Sequence, residues 1–261
     1  MKITIIGSGT CVPSLVRSSC SVLVQAGDSS ILLDVGPGTM HRLLGAGHLI
    51  YDVDAILLSH FHPDHCGELA NFLFSTKYPH AGQRMGRPLV LAGGPGLSRF
   101  YFGLRSVFGD WMDTPCGIFQ KIEISNGIPE SIAIGDAKIY AAKVEHKPES
   151  IAYRIECGGK SVVYSGDTDY SESLIELSMG CDVLICESAM PDEKKVPGHL
   201  TPSLAGEIAE QAGVSHLVLT HFYPECSEVD IEKQCRRTYS GKITLAEDLM
   251  ALDLCLMRSN I

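Results

Sequence analysis

The amino-acid sequence predicts an α/β protein, and three observations predict it. Short β-branched apolar runs of strand length recur along the chain, stretches with helical patterning lie between them, and the chemically versatile residues cluster just past the apolar runs. The chain has 261 residues, 45% hydrophobic and 20% charged, and can bury about three quarters of its unfolded surface without covalent staples. One domain over 1–261 is expected, built of two similar halves that join near 109–129, the most weakly patterned stretch.

Taken in order, residues 2–6, 21–25, 30–34, 55–59 and 89–92 read as strands of the first half, and 137–144, 150–156, 161–165, 182–186 and 216–220 as strands of the second. Most are rich in Val, Ile or Leu and bounded by turn residues. Helices are expected over 39–45, 68–77, 97–108, 171–178, 202–211 and 228–239, with Thr201 as N-cap and Pro202 at the first helical position of the fifth.

The net charge of −10, from 21 basic and 31 acidic residues, argues against a general nucleic-acid binder, which presents a basic face. Ten cysteines include no Cys-x-x-Cys pair, so a structural zinc site has no support, and the thiols read as reduced, small, buried hydrophobes. The first residues form a strand running into a glycine turn, without the apolar core of a signal peptide. No apolar stretch reaches the ~20 residues that span a membrane. A cytoplasmic protein with no membrane association is expected.

The chemistry is concentrated in Ser59-His60-Phe61-His62-Pro63-Asp64-His65, where a buried strand ends and four potential ligands follow within six residues. Pro63 keeps His62 extended, so His60 and His62 point the same way as alternate residues do. After Pro63 the chain can turn into a helix, which aims Asp64 and His65 elsewhere. One pair then serves one metal and the next pair a second, and imidazole with carboxylate suits zinc, iron or manganese. The bland alternative, a helix N-terminus capped by Asp64, leaves three clustered histidines without a use. His146, Asp167 and His221 each sit just past another apolar run, where α/β sheets present function. Any one of them alone would be weak, since a lone histidine is more often structural. Together they complete six terminal ligands and one carboxylate, Asp167, to bridge.

His-x-His-x-Asp-His, then a lone His, Gly-Asp-Thr and Thr-His resembles the metallo-β-lactamase superfamily, in particular the branch holding ribonuclease Z and related small phosphodiesterases. The resemblance covers nearly the whole chain. It extends to Gly7-Ser8-Gly9-Thr10 with Pro13 and Arg17, to the 33–39 segment, to Gly94-Pro95-Gly96-Leu97 and to Gly198-His199-Leu200-Thr201. It implies a four-layer αββα sandwich with two divalent metal ions at one edge, zinc first, with manganese or iron as alternatives. His60, His62 and His146 would hold one ion, Asp64, His65 and His221 the other, and Asp167 would bridge. The implied reaction is attack of a metal-bridging hydroxide on phosphorus, with Asp64 orienting the nucleophile. His199 is the candidate proton donor to the leaving group, and Glu187, at a strand end, could orient it.

The chain departs from the branch at one place. Only 20 residues lie between His146 and Asp167, room for one hairpin, whereas ribonuclease Z proteins carry a long basic arm there. The Cys-rich insertion of the compact phosphonate-pathway members is missing too. A small phosphodiester is therefore the expected substrate, RNA is disfavoured, and a homodimer that builds a basic groove across two chains is the route by which RNA could return. Two other readings stay open. One is a carboxylic ester, lactone or thioester hydrolase on the same fold, and the other a non-catalytic metal-binding protein. Gly36-Pro37-Gly38-Thr39 resembles a phosphate loop but lacks its lysine, and reads as a turn supporting the site. His41, His48, His80 and His216 read as surface or core residues, and Lys121–Glu123 with Arg236-Arg237 as solvated.

Overall fold

A computed structural model describes residues 1–78, 88–113, 119–125 and 131–256. The strands are β1 (Lys2–Gly7), β2 (Ser21–Ala26), β3 (Ser29–Leu33), β4 (Ala55–Leu58), β5 (Leu89–Gly93), β6 (Phe119–Glu123), β7 (Ile132–Ile134), β8 (Ala137–Lys143), β9 (Ile151–Cys157), β10 (Lys160–Tyr164), β11 (Val183–Glu187), β12 (His216–Thr220), β13 (Lys242–Leu245) and β14 (Ala251–Asp253). The helices are α1 (Thr39–Gly45), α2 (Pro63–Cys66), α3 (Leu69–Ser75), α4 (Leu97–Phe108), α5 (Glu172–Ser178), α6 (Pro202–Gln211) and α7 (Ile231–Cys235). His80 and part of the expected 109–129 join lie outside the described residues.

The strands form two seven-stranded mixed sheets, ordered β14-β1-β2-β3-β4-β5-β6 and β13-β12-β11-β10-β9-β8-β7. Side-chain alternation divides the core into layers. In the first sheet Val22, Val24, Ile31, Leu33 and Leu57 belong to the cluster that also holds Ile139, Tyr153, Ile155, Val163 and Ile185 of the second sheet. Their neighbours Leu23, Leu32, Ile56, Leu58 and Leu91 face the other way, against Leu43 of α1, Phe72 of α3 and Leu97 and Tyr101 of α4. On the far side α5 packs on β8 and β9, and α6 on β11 and β12. The order helix, sheet, sheet, helix is the αββα sandwich. It explains why β4, Ala-Ile-Leu-Leu, and β12 are buried at every position: each is a parallel strand covered on both faces.

β3 through β6 run parallel to one another, as do β10 through β13. Their carboxyl ends share one edge of the sandwich, where Ile151 N–H donates to the Ser59 carbonyl at 3.0 Å and ties the two sheets together. Residues 34, 60, 167, 187 and 221 all follow or end those strands.

Some local expectations differ from what is seen. Thr201 stands at the N-cap of α6, but its side chain makes no capping bond. The last helix is only Ile231–Cys235, preceded by a 3₁₀ turn at Pro224–Glu228. Glu123 is not simply solvated: its carboxylate accepts from the Gly96 and Ser98 N–H groups at the start of α4, at 2.8 and 2.9 Å. Cys11 and Cys255 are exposed, while six other described cysteines are buried as expected. No helix among the described residues is long and apolar enough to cross a membrane.

His216 opens β12 at the end of the sheet away from the shared edge. It is 3% exposed, and its Nε2 bonds Thr244 Oγ1 at 2.8 Å. Burial first, then Lys242, pushes its pKa down to about 4. The unfolded chain takes up this proton near pH 6.5, whereas the folded chain resists until about 4. The stability conferred by the neutral ring is therefore present above pH 6.5 and is lost as pH falls towards 4. Replacing His216 with Gln should remove a penalty on the order of 1–2 kcal/mol between pH 7.5 and 5. Urea unfolding of both proteins at the two pH values is the measurement, and parallel curves at both would refute the assignment.

Candidate metal centre

Each candidate ligand is delivered by a local feature of the shared edge. β4 ends at Leu58, and His60 and His62 follow in extended backbone, with His62 at φ −66°, ψ 145° as the residue before Pro63 demands. α2 then starts at Pro63 and turns Asp64 and His65 inward, both buried. Gly166 precedes Asp167 with φ +57°, and a Cβ there would lie 2.5 Å from Ser59 Cβ, so only glycine lets this turn approach the His60 segment. His221 follows β12 at φ +61°, a strained conformation for a residue with a side chain, and one typical of functional sites.

The structure brings His60, His62, Asp64, His65, His146, Asp167 and His221 into one cluster around the Asp167 carboxylate. Asp167 Oδ2 lies 3.6 Å from His60 Nε2 and 3.9 Å from His146 Nε2, and His62 Nδ1 is 3.3 Å from His146 Nε2. Its other oxygen, Oδ1, lies 3.1 Å from His65 Nε2 and 3.3 Å from His221 Nε2. Asp64 Oδ2 joins that second half, 3.7 Å from His221 Nε2 and 3.9 Å from His65 Nε2. One carboxylate thus divides its two oxygens between two groups of donors.

The hydrogen bonds behind the histidines decide which nitrogen faces the centre. Ser59 Oγ gives its proton to Asp34 Oδ2 at 2.7 Å, so it must accept from His60 Nδ1 at 3.0 Å, and His60 Nε2 keeps its lone pair. His65 Nδ1 donates to Asp34 Oδ2 at 2.7 Å, and His146 Nδ1 to the Gly198 carbonyl at 2.8 Å. Outer partners of this kind fix tautomer and ring orientation in metal sites. His60 Nε2 and Asp167 Oδ1 are nevertheless buried with no hydrogen-bond partner among the described residues. Such atoms are costly unless something else answers them. Imidazole nitrogens and carboxylate oxygens left open this way fit divalent metal ions.

Electrostatics point the same way. Burial first, then the adjacent His65, pushes His60 down to about 2, and burial lowers His62 and His146 as well. Those three rings are neutral at ordinary pH and can donate a lone pair. Burial opposes ionisation of Asp167, but His221 and His65 outweigh it and hold the carboxyl well below its usual range. Asp64 likewise overcomes its burial, through His221 and His65, and falls to about 2. His65 is raised against the cost of its burial by Asp167 and Asp34, the same carboxylates that would attract a cation.

His199 and Glu187 stand beside the cluster. His199 Nδ1 donates to Glu187 Oε1 at 3.0 Å and lies 3.9 Å from Asp167 Oδ2. The His199 ring stacks on His221 at 5.6 Å and meets His146 at 4.9 Å. Glu187 is 1% exposed and also accepts from the N–H groups of Thr168 and Leu200, at 2.7 and 3.1 Å. Burial disfavours a charged His199, but Glu187 more than compensates and raises its pKa above the usual value.

Sequence reasoning left three residues out of the site. Asp34, fully buried at φ +59°, accepts from Ser59 N, Ser59 Oγ, His65 Nδ1 and Tyr164 Oη, all at 2.7 Å. It follows a strand as the ligands do, which was the available signal. Cys20 Sγ is grouped with ring nitrogens of His65 and His221, all within 4.8 Å, and nothing in its local sequence announced this. Tyr223 stands 6.0 Å from the His221 ring, centroid to centroid, with its hydroxyl 3.5 Å from Cys11 Sγ at the rim.

Comparison with known proteins bears on this edge. A family model described as the beta-lactamase superfamily domain matches residues 29–222. An uncharacterized protein of Mycobacterium tuberculosis is 31% identical over 247 residues, covering 93% of this chain and 88% of its own. A protein named ribonuclease Z from Mycobacterium bovis is 29% identical over 279 residues, covering 97% and 98%. The crystal structure of the metallo-beta-lactamase fold protein YhfI from Bacillus subtilis superposes with a TM-score of 0.83 at 26% identity, over 97% of this chain and 99% of that one.

Proposed function

Because the chain belongs to the metallo-β-lactamase superfamily, we propose that its cluster is a dinuclear metal centre and that the protein is a phosphodiesterase of the ribonuclease Z-like group acting on small phosphodiesters. The observation that carries the reading is the division of Asp167 between two donor groups: His60 and His146 face Oδ2, with His62 beside His146, and His65 and His221 face Oδ1, with Asp64 beside both. Two divalent ions, zinc first by affinity in an imidazole-rich site, would supply an acidified water and neutralise charge on phosphate oxygens.

The chain's own residues do the rest. Asp34, Ser59 and the Gly198 carbonyl hold the ligand rings in one tautomer, so no reorganisation is needed as charge develops. Asp64, beside His221 and His65, orients the incoming nucleophile. His199 carries the proton for the departing alkoxide, and Glu187 favours the protonated ring and holds its Nδ1 beside Asp167.

The preference for small substrates rests on charge and on the hairpin. β9 and β10 fill the 20 residues between His146 and Asp167, leaving no arm that could grip RNA. With a net charge of −10 the chain has little with which to neutralise a run of phosphates. The test is a direct competition at about 150 mM salt, with metal-loaded protein offered a cyclic or aryl phosphodiester, a lactone and a precursor transfer RNA. The diester should show the highest kcat/KM. Cleavage of the RNA at its 3′ side with higher efficiency would make the protein a ribonuclease Z, and turnover of the lactone alone would move it to carboxylic esters.

A further inference from the structure

Beyond the metal cluster and the His199–Glu187 pair, one side chain ties the two together. We infer that Asp169 is a positioning residue: it clamps the Lys195–His199 loop against the edge of the sheet, and through Gly198 it sets both the ligand His146 and the proton donor His199. The inference rests on the functional reading above and assigns a task that neither the ligand pattern nor the family match assigns.

The hydrogen bonds converge on one residue, Gly198. Asp169 Oδ2 accepts from Gly198 N at 2.8 Å and from Lys195 Nζ at 2.8 Å. The Gly198 carbonyl accepts from His146 Nδ1, also at 2.8 Å. Gly198 is therefore held through its N–H by a carboxylate and through its carbonyl by a candidate metal-ligand imidazole. Gly198 has φ +84°, and a Cβ there would meet His146 Nδ1 at 3.1 Å, so the close approach depends on glycine. The next residue is His199. Asp169 is itself fixed, because its backbone N–H donates to the Glu145 carbonyl at 2.7 Å and its Oδ1 accepts from Tyr170 N at 2.8 Å.

The consequence is mechanical. The turn after β10 carries Asp167 into the centre and, two residues later, Asp169 under the loop. The loop between β11 and α6 has no regular structure apart from a 3₁₀ turn at Asp192–Lys194, so side chains such as Asp169 help to hold it. Bonds from backbone N–H to a carboxylate are the stronger kind. If Gly198 shifts, His146 loses the acceptor that fixes its Nδ1 proton, and His199 moves off Glu187. Ligation on the Oδ2 side of Asp167 and proton delivery are thus coupled through one clamp.

The plain alternative is that Asp169 and Lys195, each about 31% exposed, form an ordinary surface ion pair of small value. Three substitutions separate the two. Asp169→Ala removes the carboxylate and its bonds to Gly198 N, Lys195 Nζ and Tyr170 N, Asp169→Asn keeps an oxygen for Gly198 N, and Lys195→Met removes the ion pair alone. Zinc affinity is read by competition with a chromophoric chelator, and kcat and KM on an alkyl and a p-nitrophenyl phosphodiester.

For Asp169→Ala the affinity of one of the two metals should fall on the order of 10–100-fold, the usual effect of losing an outer partner of a ligand. Its kcat on the alkyl diester should fall further than on the nitrophenyl diester, with KM unchanged. Asp169→Asn should recover most of both losses, and Lys195→Met should resemble wild type. The inference is overturned if Lys195→Met matches Asp169→Ala, or if Asp169→Ala lowers only the melting temperature while affinity and the alkyl-to-nitrophenyl ratio stay put. Failure of the functional reading looks different: wild type would then hydrolyse neither diester, while the chelator titration would still report whether Asp169 supports His146.

Discussion

Asp167→Ala is expected to empty the centre: metal content after saturation should drop from about two ions per chain to one or none, and phosphodiester turnover should fall on the order of 10³-fold or more. Asp167 is 3% exposed and is the one carboxylate whose oxygens face both halves, at 3.1 and 3.3 Å on one side and 3.6 and 3.9 Å on the other. Without it each half keeps imidazoles but loses its shared anion, and two cations at close quarters lose the charge that lets them coexist. A bound Lewis acid is worth several kcal/mol to a phosphoryl transition state, and every 1.36 kcal/mol is tenfold in rate.

His60→Ala should differ from it in kind. His60 Nε2 faces Asp167 Oδ2 rather than Oδ1, so the half built from Asp64, His65 and His221 should keep its ion. Elemental analysis of metal-saturated protein, with activity on the same samples, reads both variants. Retention of two ions by Asp167→Ala with turnover within about tenfold of wild type would end the bridging assignment.

Much of this was legible before any coordinates, and the reason is physical. Strands such as Ala55–Leu58 and His216–Thr220 are covered on both faces, so their apolar runs are unbroken and the residues that follow stand out. The helices with clear amphipathic stripes, Thr39–Gly45, Leu97–Phe108 and Pro202–Gln211, were placed to the residue. The strands that escaped notice are the four edges of the two sheets: Phe119–Glu123, Ile132–Ile134, Lys242–Leu245 and Ala251–Asp253. Edge strands are short, half exposed and charged, which keeps them from pairing with other chains and also hides them in the sequence.

At the site, residue type and spacing marked the seven clustered residues, because several histidines past strand ends have no packing use. Distance in the sequence concealed the supports. Asp34 is 31 residues from the His65 it orients, and Gly198 is 52 from His146. Such pairs are made where segments following different strands of one sheet meet, β3 and β4 in the first case and β8 and β11 in the second, which no local pattern encodes. Asp169 was overlooked for the same reason, since its role exists only once Gly198 arrives from the far side of β11.

His199→Ala is expected to keep both metals and lose on the order of 10²–10⁴-fold in turnover on an alkyl phosphodiester, the range of a general acid. The His199 ring stacks on His221, and its Nδ1, 3.9 Å from Asp167 Oδ2, is committed to Glu187 at 3.0 Å. That commitment is what raises its pKa above the ordinary histidine value against the pull of burial. A ring held in this way favours its protonated form and can give a proton from Nε2 to an alkoxide that cannot leave alone. A p-nitrophenolate leaves without help, so the loss on the nitrophenyl ester should be far smaller. Glu187→Gln should fall between wild type and His199→Ala on the alkyl ester, because the neutral amide keeps the hydrogen bond but not the charge that raises His199. Equal losses on both esters would make His199 a substrate-binding group instead, and loss of metal from His199→Ala would make it a ligand. The unequal loss with metal retained is the result that assigns the proton.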